Sequence, residues 1–309
     1  VKVATAVAAL VVALSVAAVV GASPPPPGTP TQVKALVAAA PSITKVPANV
    51  TPTLQNASND SALTRYPSLT PCISGSTAEP ACVFGDTHGT HTMVLFGDSH
   101  ALMWFPALDA VAKSAKWRLV ALMNYGCPVA NVTVENVLNG KPDPGCPIFR
   151  SHMIKRIVKL DPALVVVSEG FYTVNAAGGT ITNAQWTAAL AKSLGALRVS
   201  HGKRVVIGQS FLIPQPLACL ATASASSASI QTCSQPWATP SFTAELAADR
   251  AGAKQVGVPY VNEIPWTCSI TCTVVIGTMI AYNSSGHLSA TYDAYLANVL
   301  RLALKASMG

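Results

Sequence analysis

Met93-Val94-Leu95-Phe96-Gly97-Asp98-Ser99-His100 is the stretch on which the reading of the chain turns. Its first four residues are a short apolar run that reads as a buried strand, and residues 101–114 carry apolar side chains at helical spacing. Gly97-Asp98-Ser99 is left as a tight turn, with a residue lacking Cβ where the backbone reverses. Ser99 therefore stands at the carboxyl end of a strand and the amino end of a helix. Open α/β sheets place ligands there, and free N–H groups with the helix dipole favour a developing oxyanion. Ser99 is a candidate nucleophile; a plain turn serine ahead of a helix is the alternative.

A serine nucleophile needs a base. Near the other end of the chain, His287 precedes a segment in which Leu288, Tyr292, Leu296, Val299 and Leu300 fall at helical spacing. Between the two, short apolar runs alternate with helical patterns. Strands are expected at residues 92–96, 118–123, 164–168, 204–208 and 259–263, and helices at 101–114, 148–160, 184–200, 240–257 and 288–307. The alternation predicts an α/β fold, a parallel sheet with helices on both faces. A flavodoxin-like order 2-1-3-4-5 puts Ser99 at the switch point. The loop after the last strand then reaches the loop after the first, within hydrogen-bond range of Ser99. Two longer insertions, 128–147 and 211–239, emerge on the same side and are expected to shape access to it.

At 309 residues, half of them apolar and 11% charged, the chain can bury a sizeable core. A formal net charge of +7 suits anionic polymers or lipid head groups as neighbours. Lys and Arg are scattered, with no dense run and no interleaved aromatics, which argues against nucleic acid. Eight cysteines behind an export-type start read as disulfides in an oxidising compartment outside the cytoplasm. Neighbouring cysteines suggest the pairs Cys72–Cys82, Cys127–Cys146, Cys219–Cys233 and Cys268–Cys272. A metal at Cys268-x-x-x-Cys272 lacks a second cysteine pair or a histidine at ligand spacing. His88 and His91, near Asp86, sit in a Gly/Thr-rich loop where exposed histidines are ordinary. No metal is expected.

Residues 3–21 are an almost unbroken apolar run, long enough to cross a bilayer. A transmembrane helix with Lys2 on the cytoplasmic side is the favoured reading; a signal peptide cleaved after small residues is the other. The expected organisation is residues 1–22 as that segment, 23–71 as a Pro/Ser/Thr-rich linker and wrap, and 72–309 as the α/β domain. Residues 23–30, with four consecutive prolines, read as a stiff spacer.

Phe96-Gly97-Asp98-Ser99-His100, Trp104-x-Pro106-Ala107-Leu108-Asp109, Cys127-Pro128 and His287-Leu288-Ser289-Ala290-Thr291-Tyr292 form an ordered set of blocks. Together they resemble the SGNH (GDSL-type) domain found at the extracytoplasmic end of acyltransferase family 3 membrane proteins. The resemblance covers most of the chain and implies a three-layer SGNH hydrolase fold. It also implies O-acyl transfer or ester hydrolysis, with acetyl as the favoured group, on cell-envelope carbohydrate of a bacterium. Ser99 would form the acyl-enzyme with His287 as base and no cofactor. The partners implied are an acyltransferase family 3 membrane domain as acyl donor, on the same or a separate chain, and a glycan acceptor. The implied location is the cell envelope, membrane-anchored through residues 3–21, or secreted if that segment is removed.

Two positions depart from the family. Ser99 and Gly126 match the oxyanion-hole donors, but the Asn expected after the third strand is missing, leaving Ser168 or Asn175 as substitutes. The family's Asp, three residues before the His, is Ser284 here. That leaves a bare Ser99–His287 dyad, a carboxylate from elsewhere (Glu169 or Glu263), or a weakened site. Asp98 is expected to satisfy turn N–H groups and His100 to support the site from behind. Trp237 and Trp266 are expected as sugar-stacking platforms, whereas Trp104 and Trp117 read as packing residues. The rival functions are a catalytically inactive glycan-binding module and a free-standing esterase.

Overall fold

The computed structural model describes residues 25–73, 81–136 and 139–308. In chain order the main elements are α1 (Pro30–Ala39), β1 (Val83–Gly85), β2 (His91–Gly97), α2 (Ser99–Met103), α3 (Phe105–Ala115), β3 (Trp117–Met123), α4 (Gly145–Leu160), β4 (Leu164–Ser168), α5 (Asn183–Ala196), β5 (Lys203–Ile207), α6 (Pro216–Ala225), α7 (Pro240–Gln255), β6 (Tyr260–Val261), α8 (Ala290–Tyr295) and α9 (Ala297–Met308). Six strands form one sheet in the order β1-β3-β2-β4-β5-β6. The five expected strands pair in parallel in the expected 2-1-3-4-5 order. The addition is β1, an antiparallel strand that covers the edge of β3.

The period of two in a strand divides the core. Met93, Leu95, Leu119, Ala121 and Val166 face one side, where α1, α3 and α9 pack. Val94, Phe96, Val120, Leu122, Val165 and Val167 face the other, against α4, α5 and α7. Strands enclosed on both faces must be apolar at every position, which is why their sequences are continuous runs without alternation.

Two expected helices are each broken once. Residues 101–114 divide at Trp104 into α2 and α3, because Pro106 cannot continue a helix but suits the first turn of a new one. The helix expected at 288–307 begins only after Ser289, whose hydroxyl accepts the Tyr292 N–H at 3.1 Å. It divides at Leu296, whose N–H is shared between the carbonyls of Tyr292 and Asp293. The 211–239 insertion holds α6 and a 3-10 turn at Ile230–Cys233.

The proline-rich spacer ends docked on the fold. Gly28 N–H donates to the Tyr295 carbonyl at 2.9 Å, and Asn298 donates to the Pro27 carbonyl at 3.1 Å. From there α1 buries Val33 and Val37, and the wrap continues through buried Ala57, Ala62 and Leu69. Asp60 and Arg65 pin it next to α8: Asp60 accepts the Thr291 N–H at 3.0 Å, and Arg65 donates to the Ala290 carbonyl at 2.9 Å. Disulfides join Cys72–Cys82, Cys127–Cys146, Cys219–Cys233 and Cys268–Cys272. The segment expected to be a membrane helix or signal, residues 3–21, lies outside the described residues. Among those described, no helix is long and apolar enough to cross a membrane.

Leu69 is fully enclosed between the wrap and the core. Truncating it should destabilise by about 2–5 kcal/mol. Equilibrium unfolding of Leu69→Ala checks this, and a change below about 0.5 kcal/mol would show the wrap is not part of the packed unit.

Candidate active site

β2 lies near the middle of the sheet, paired on both sides, and its end carries the turn to α2. Gly97 is required there, because a Cβ would collide with the Ser168 carbonyl of the neighbouring β4. Asp98 caps α2 by accepting the His100 N–H at 2.8 Å. It also accepts the Gly170 N–H at 3.0 Å and the Tyr172 hydroxyl at 3.0 Å. Burial pushes this carboxyl up to about 6, opposed by the His100, Gly170 and Tyr172 hydrogen bonds and the field of His287. As expected from the turn sequence, Asp98 satisfies loop donors; the Tyr172 contact is an addition.

Ser99 is half-buried and is the first residue of α2. His287 Nε2 lies 2.9 Å from Ser99 Oγ, so residues 188 apart in sequence meet at hydrogen-bond distance. His100 is buried behind them, its ring edge-on to His287 with centroids 5.3 Å apart. Burial lowers His287 to about 4, helped by His100 and opposed by Asp98 and by the adjoining Ser285. Both imidazoles are therefore neutral at pH 7, His100 through burial alone. A neutral His287 is in the form that accepts a proton.

The serine beside His287 Nδ1 is one position on from the Ser284 that stands where the family has Asp. Ser284 is exposed and its hydroxyl reaches the Ser58 carbonyl of the wrap at 3.5 Å. Ser285, one residue on, places Oγ 2.9 Å from His287 Nδ1. Ser285 in turn donates to Asn283 Oδ1 at 2.6 Å. The two candidate carboxylates point elsewhere. Glu169 is buried and accepts the Ala130 N–H at 2.8 Å; Glu263 is buried and accepts the Thr267 hydroxyl at 3.1 Å. Burial raises both, Glu169 well above the usual range and Glu263 to about 8. Neither His287 ring nitrogen is bonded to a carboxylate among the described residues.

Ser99 and His287 open into a cleft of about 670 Å³. Gly126, the residue after β3 read as an oxyanion donor, lines it. Asn175 does not: its side-chain oxygen accepts the Ala177 and Gly179 N–H groups at 2.9 and 3.1 Å within its own loop. Ser168 is buried at the end of β4, with no partner for its hydroxyl among the described residues. Leu102 and Met103 face the cleft beside Ala62 of the wrap, while Tyr125, Phe171, Phe211 and Phe242 supply aromatic surface. Gln209 links the Phe171 N–H (2.9 Å) to Glu245 (2.8 Å) on its floor.

Across residues 70–301 the sequence matches the family described as SGNH domain (fused to AT3 domains). The chain belongs to the SGNH family. Its fold is similar to the lipopolysaccharide acetyltransferase periplasmic domain of Salmonella ser. Paratyphi A, at a TM-score of 0.59 and 14% identity over 77% of this chain and 94% of that one. Weaker similarity extends to a carbohydrate esterase family 2 enzyme of Corynascus thermopiles (TM-score 0.45, 16% identity, 71% of this chain and 67% of that one). A family two carbohydrate esterase of Clostridium thermocellum is similar at a TM-score of 0.42, 13% identity, over 70% of this chain and 64% of that one. No curated protein matches the sequence.

As an SGNH domain this chain departs from expectation in its aromatic residues. Neither Trp237 nor Trp266 reaches the Ser99 cleft. Trp237 donates to the Ser269 carbonyl at 2.7 Å and lines a separate groove with Arg250 and Lys254. Trp266 packs edge-on to Trp104 at 6.0 Å. Tyr125, 44% exposed, and the Phe211–Phe242 pair line the cleft instead. No tryptophan signal marks these residues; their position after β3, in the 211–239 insertion and in the first turn of α7 is the available clue. His91 stacks on Trp117 at 5.1 Å, at the opposite end of β2 from Ser99.

The depressed His287 sets a pH expectation. Its basic form is retained as pH falls and is lost only through about 4, below the 6.5 of an unperturbed imidazole. The acid limb of kcat/KM on a neutral ester should lie near pH 4. A limb at 6 or above that persists in Asp98→Asn would show that His287 is not a buried base.

Proposed function

We propose that this chain moves an acyl group, with acetyl as the favoured one, onto or off cell-envelope carbohydrate through an acyl-enzyme on Ser99. The observation that carries the reading is the 2.9 Å approach of His287 Nε2 to Ser99 Oγ at the end of the central strand. Ser99 Oγ attacks the acyl carbonyl of the donor while His287 Nε2 takes the hydroxyl proton. The backbone N–H groups of Ser99 and Gly126 are the donors assigned to the oxyanion. The tetrahedral intermediate expels the donor's leaving group, which takes the proton from His287. An acceptor hydroxyl then attacks the ester carbonyl, His287 removes its proton, and Ser99 leaves with that proton. Water as acceptor gives hydrolysis; a sugar hydroxyl gives transfer.

Small apolar walls at Ala62, Leu102 and Met103 suit a short acyl chain, and the aromatic side suits the apolar face of a sugar ring. The fusion named in the family description supports an acyltransferase family 3 domain as donor partner. The periplasmic origin of the Salmonella neighbour and the four disulfides support an extracytoplasmic location; the apolar run of residues 3–21 is the anchor this reading assigns. A silent glycan-binding module is the rival reading, favoured by the lack of a carboxylate on His287 among the described residues.

A serine-directed fluorophosphonate and 4-nitrophenyl acetate separate the two. Wild type should label and turn over, with Ser99→Ala abolishing labelling and His287→Ala lowering turnover by a factor of about 10³ or more. A folded wild type that neither labels nor transfers acetyl to an oligosaccharide would favour the binding module.

A further inference from the structure

We propose that Ser285 and Asn283 together orient His287 in place of the triad carboxylate, so that the site is organised by a neutral hydrogen-bond chain. The inference rests on the reading of Ser99 as nucleophile and His287 as base.

The direction of every proton in this chain follows from one backbone group. Ser285 N–H lies 3.0 Å from the Asn283 side chain, and a backbone N–H can only donate. The Asn283 atom facing it is therefore the carbonyl oxygen, which fixes the amide orientation. The Ser285 hydroxyl, 2.6 Å from that same oxygen, has to direct its hydrogen there. Its lone pairs remain to accept, so the proton on the 2.9 Å contact to His287 belongs to Nδ1. A neutral imidazole protonated at Nδ1 carries its lone pair on Nε2, 2.9 Å from Ser99 Oγ. The Ser99 hydroxyl then donates to Nε2. All the donors run one way, from Ser99 through His287 and Ser285 to Asn283. The opposite tautomer would point an N–H at Ser99 and leave no base.

The supporting turn is tied by hydrogen bonds along its length. Asn283 is buried, its N–H donates to the His287 carbonyl at 2.9 Å, and its carbonyl accepts the Gly286 N–H at 3.0 Å. Its side-chain nitrogen reaches the Leu288 carbonyl at 3.4 Å. Gly286 has φ +82°, and a Cβ there would collide with the Ile213 carbonyl. The titratable groups around the imidazole are His100 and Asp98 from the α2 side, with Tyr172 bonded to Asp98, and Glu245 lining the far part of the cleft. When Nε2 takes the serine proton, the positive charge strengthens the Nδ1–H bond to Ser285, and the Asn283 dipole polarises that hydroxyl further. The response grows in the transition state without placing a fixed charge at the site.

The test uses the full chain with ¹⁵N-labelled histidine. The nitrogen shifts of His287 at pH 7 should report Nδ1–H in wild type, and Ser285→Ala should move the population toward Nε2–H. Ser285→Thr, which keeps the hydroxyl, should restore Nδ1–H. In parallel, kcat for 4-nitrophenyl acetate should fall about tenfold or more in Ser285→Ala at unchanged KM, the loss of one hydrogen bond to a group that charges in the transition state. Ser285→Asp should raise the acid limb of kcat/KM by supplying a charge to Nδ1. An Nε2–H tautomer in wild type, or a tautomer unmoved in Ser285→Ala, would overturn the proposal. Failure of the fluorophosphonate to label wild type, with the tautomer shift intact, would instead remove the nucleophile reading and leave the orienting role standing.

Discussion

A single buried carboxylate ties together the strand ends on which the site stands. Parallel strands have no hairpin to set the position of one end against the next, because a long crossover separates them. Asp98, at the end of β2, makes that link by accepting the Gly170 N–H and the Tyr172 hydroxyl from the segment that follows β4. It also accepts the His100 N–H and so fixes the first turn of α2. Removing it would leave three donors without an acceptor inside the protein, a penalty of about 1–3 kcal/mol for each. Ser99, the next residue, inherits its place from this arrangement, and His287 comes to rest against the ring of His100.

The parts legible in the sequence were those governed by local periodicity. Five apolar runs became five parallel strands in the expected order, since a strand covered on both faces tolerates nothing else. Ser99 and His287 were legible because a turn and a helix start lie on either side of an alternating pattern whose topology brings them together. What escaped depended on side-chain direction within a turn. Ser284 and Ser285 are the same residue type side by side, and only the folded turn shows that the second of them faces the imidazole. Trp237 and Trp266 escaped for a similar reason: sequence placed their loops near the strand ends but not the rings, which are turned toward Ser269 and Trp104. The antiparallel β1, three residues long, is too short to carry a pattern.

The distribution of acid around the cleft bears on how it would work. Glu169, Asp249 and Glu263 are enclosed with burial holding them toward the neutral form, and each is directed into the protein. Among the described residues, Glu245 is the carboxylate that lines the cleft, and Gln209 holds it. A wall of aromatic, amide and hydroxyl groups with little formal charge is a poor screen. Dipoles aimed at a developing oxyanion act more strongly there than in water.

The docking of Gly28 on Tyr295 acts as a strain relief, in the way a cable is clamped before it reaches its connector. The wrap that follows contributes Ser61 and Ala62 to the wall beside Ser99. A pull on the chain ahead of Pro27 is met first by Gly28 and Asn298, with α1 and its buried Val33 and Val37 behind them. Movement upstream is thereby taken up by the C-terminal helices before it reaches the wall of the cleft. The Ser99–His287 geometry is separated from the chain ahead of Pro27 by these contacts.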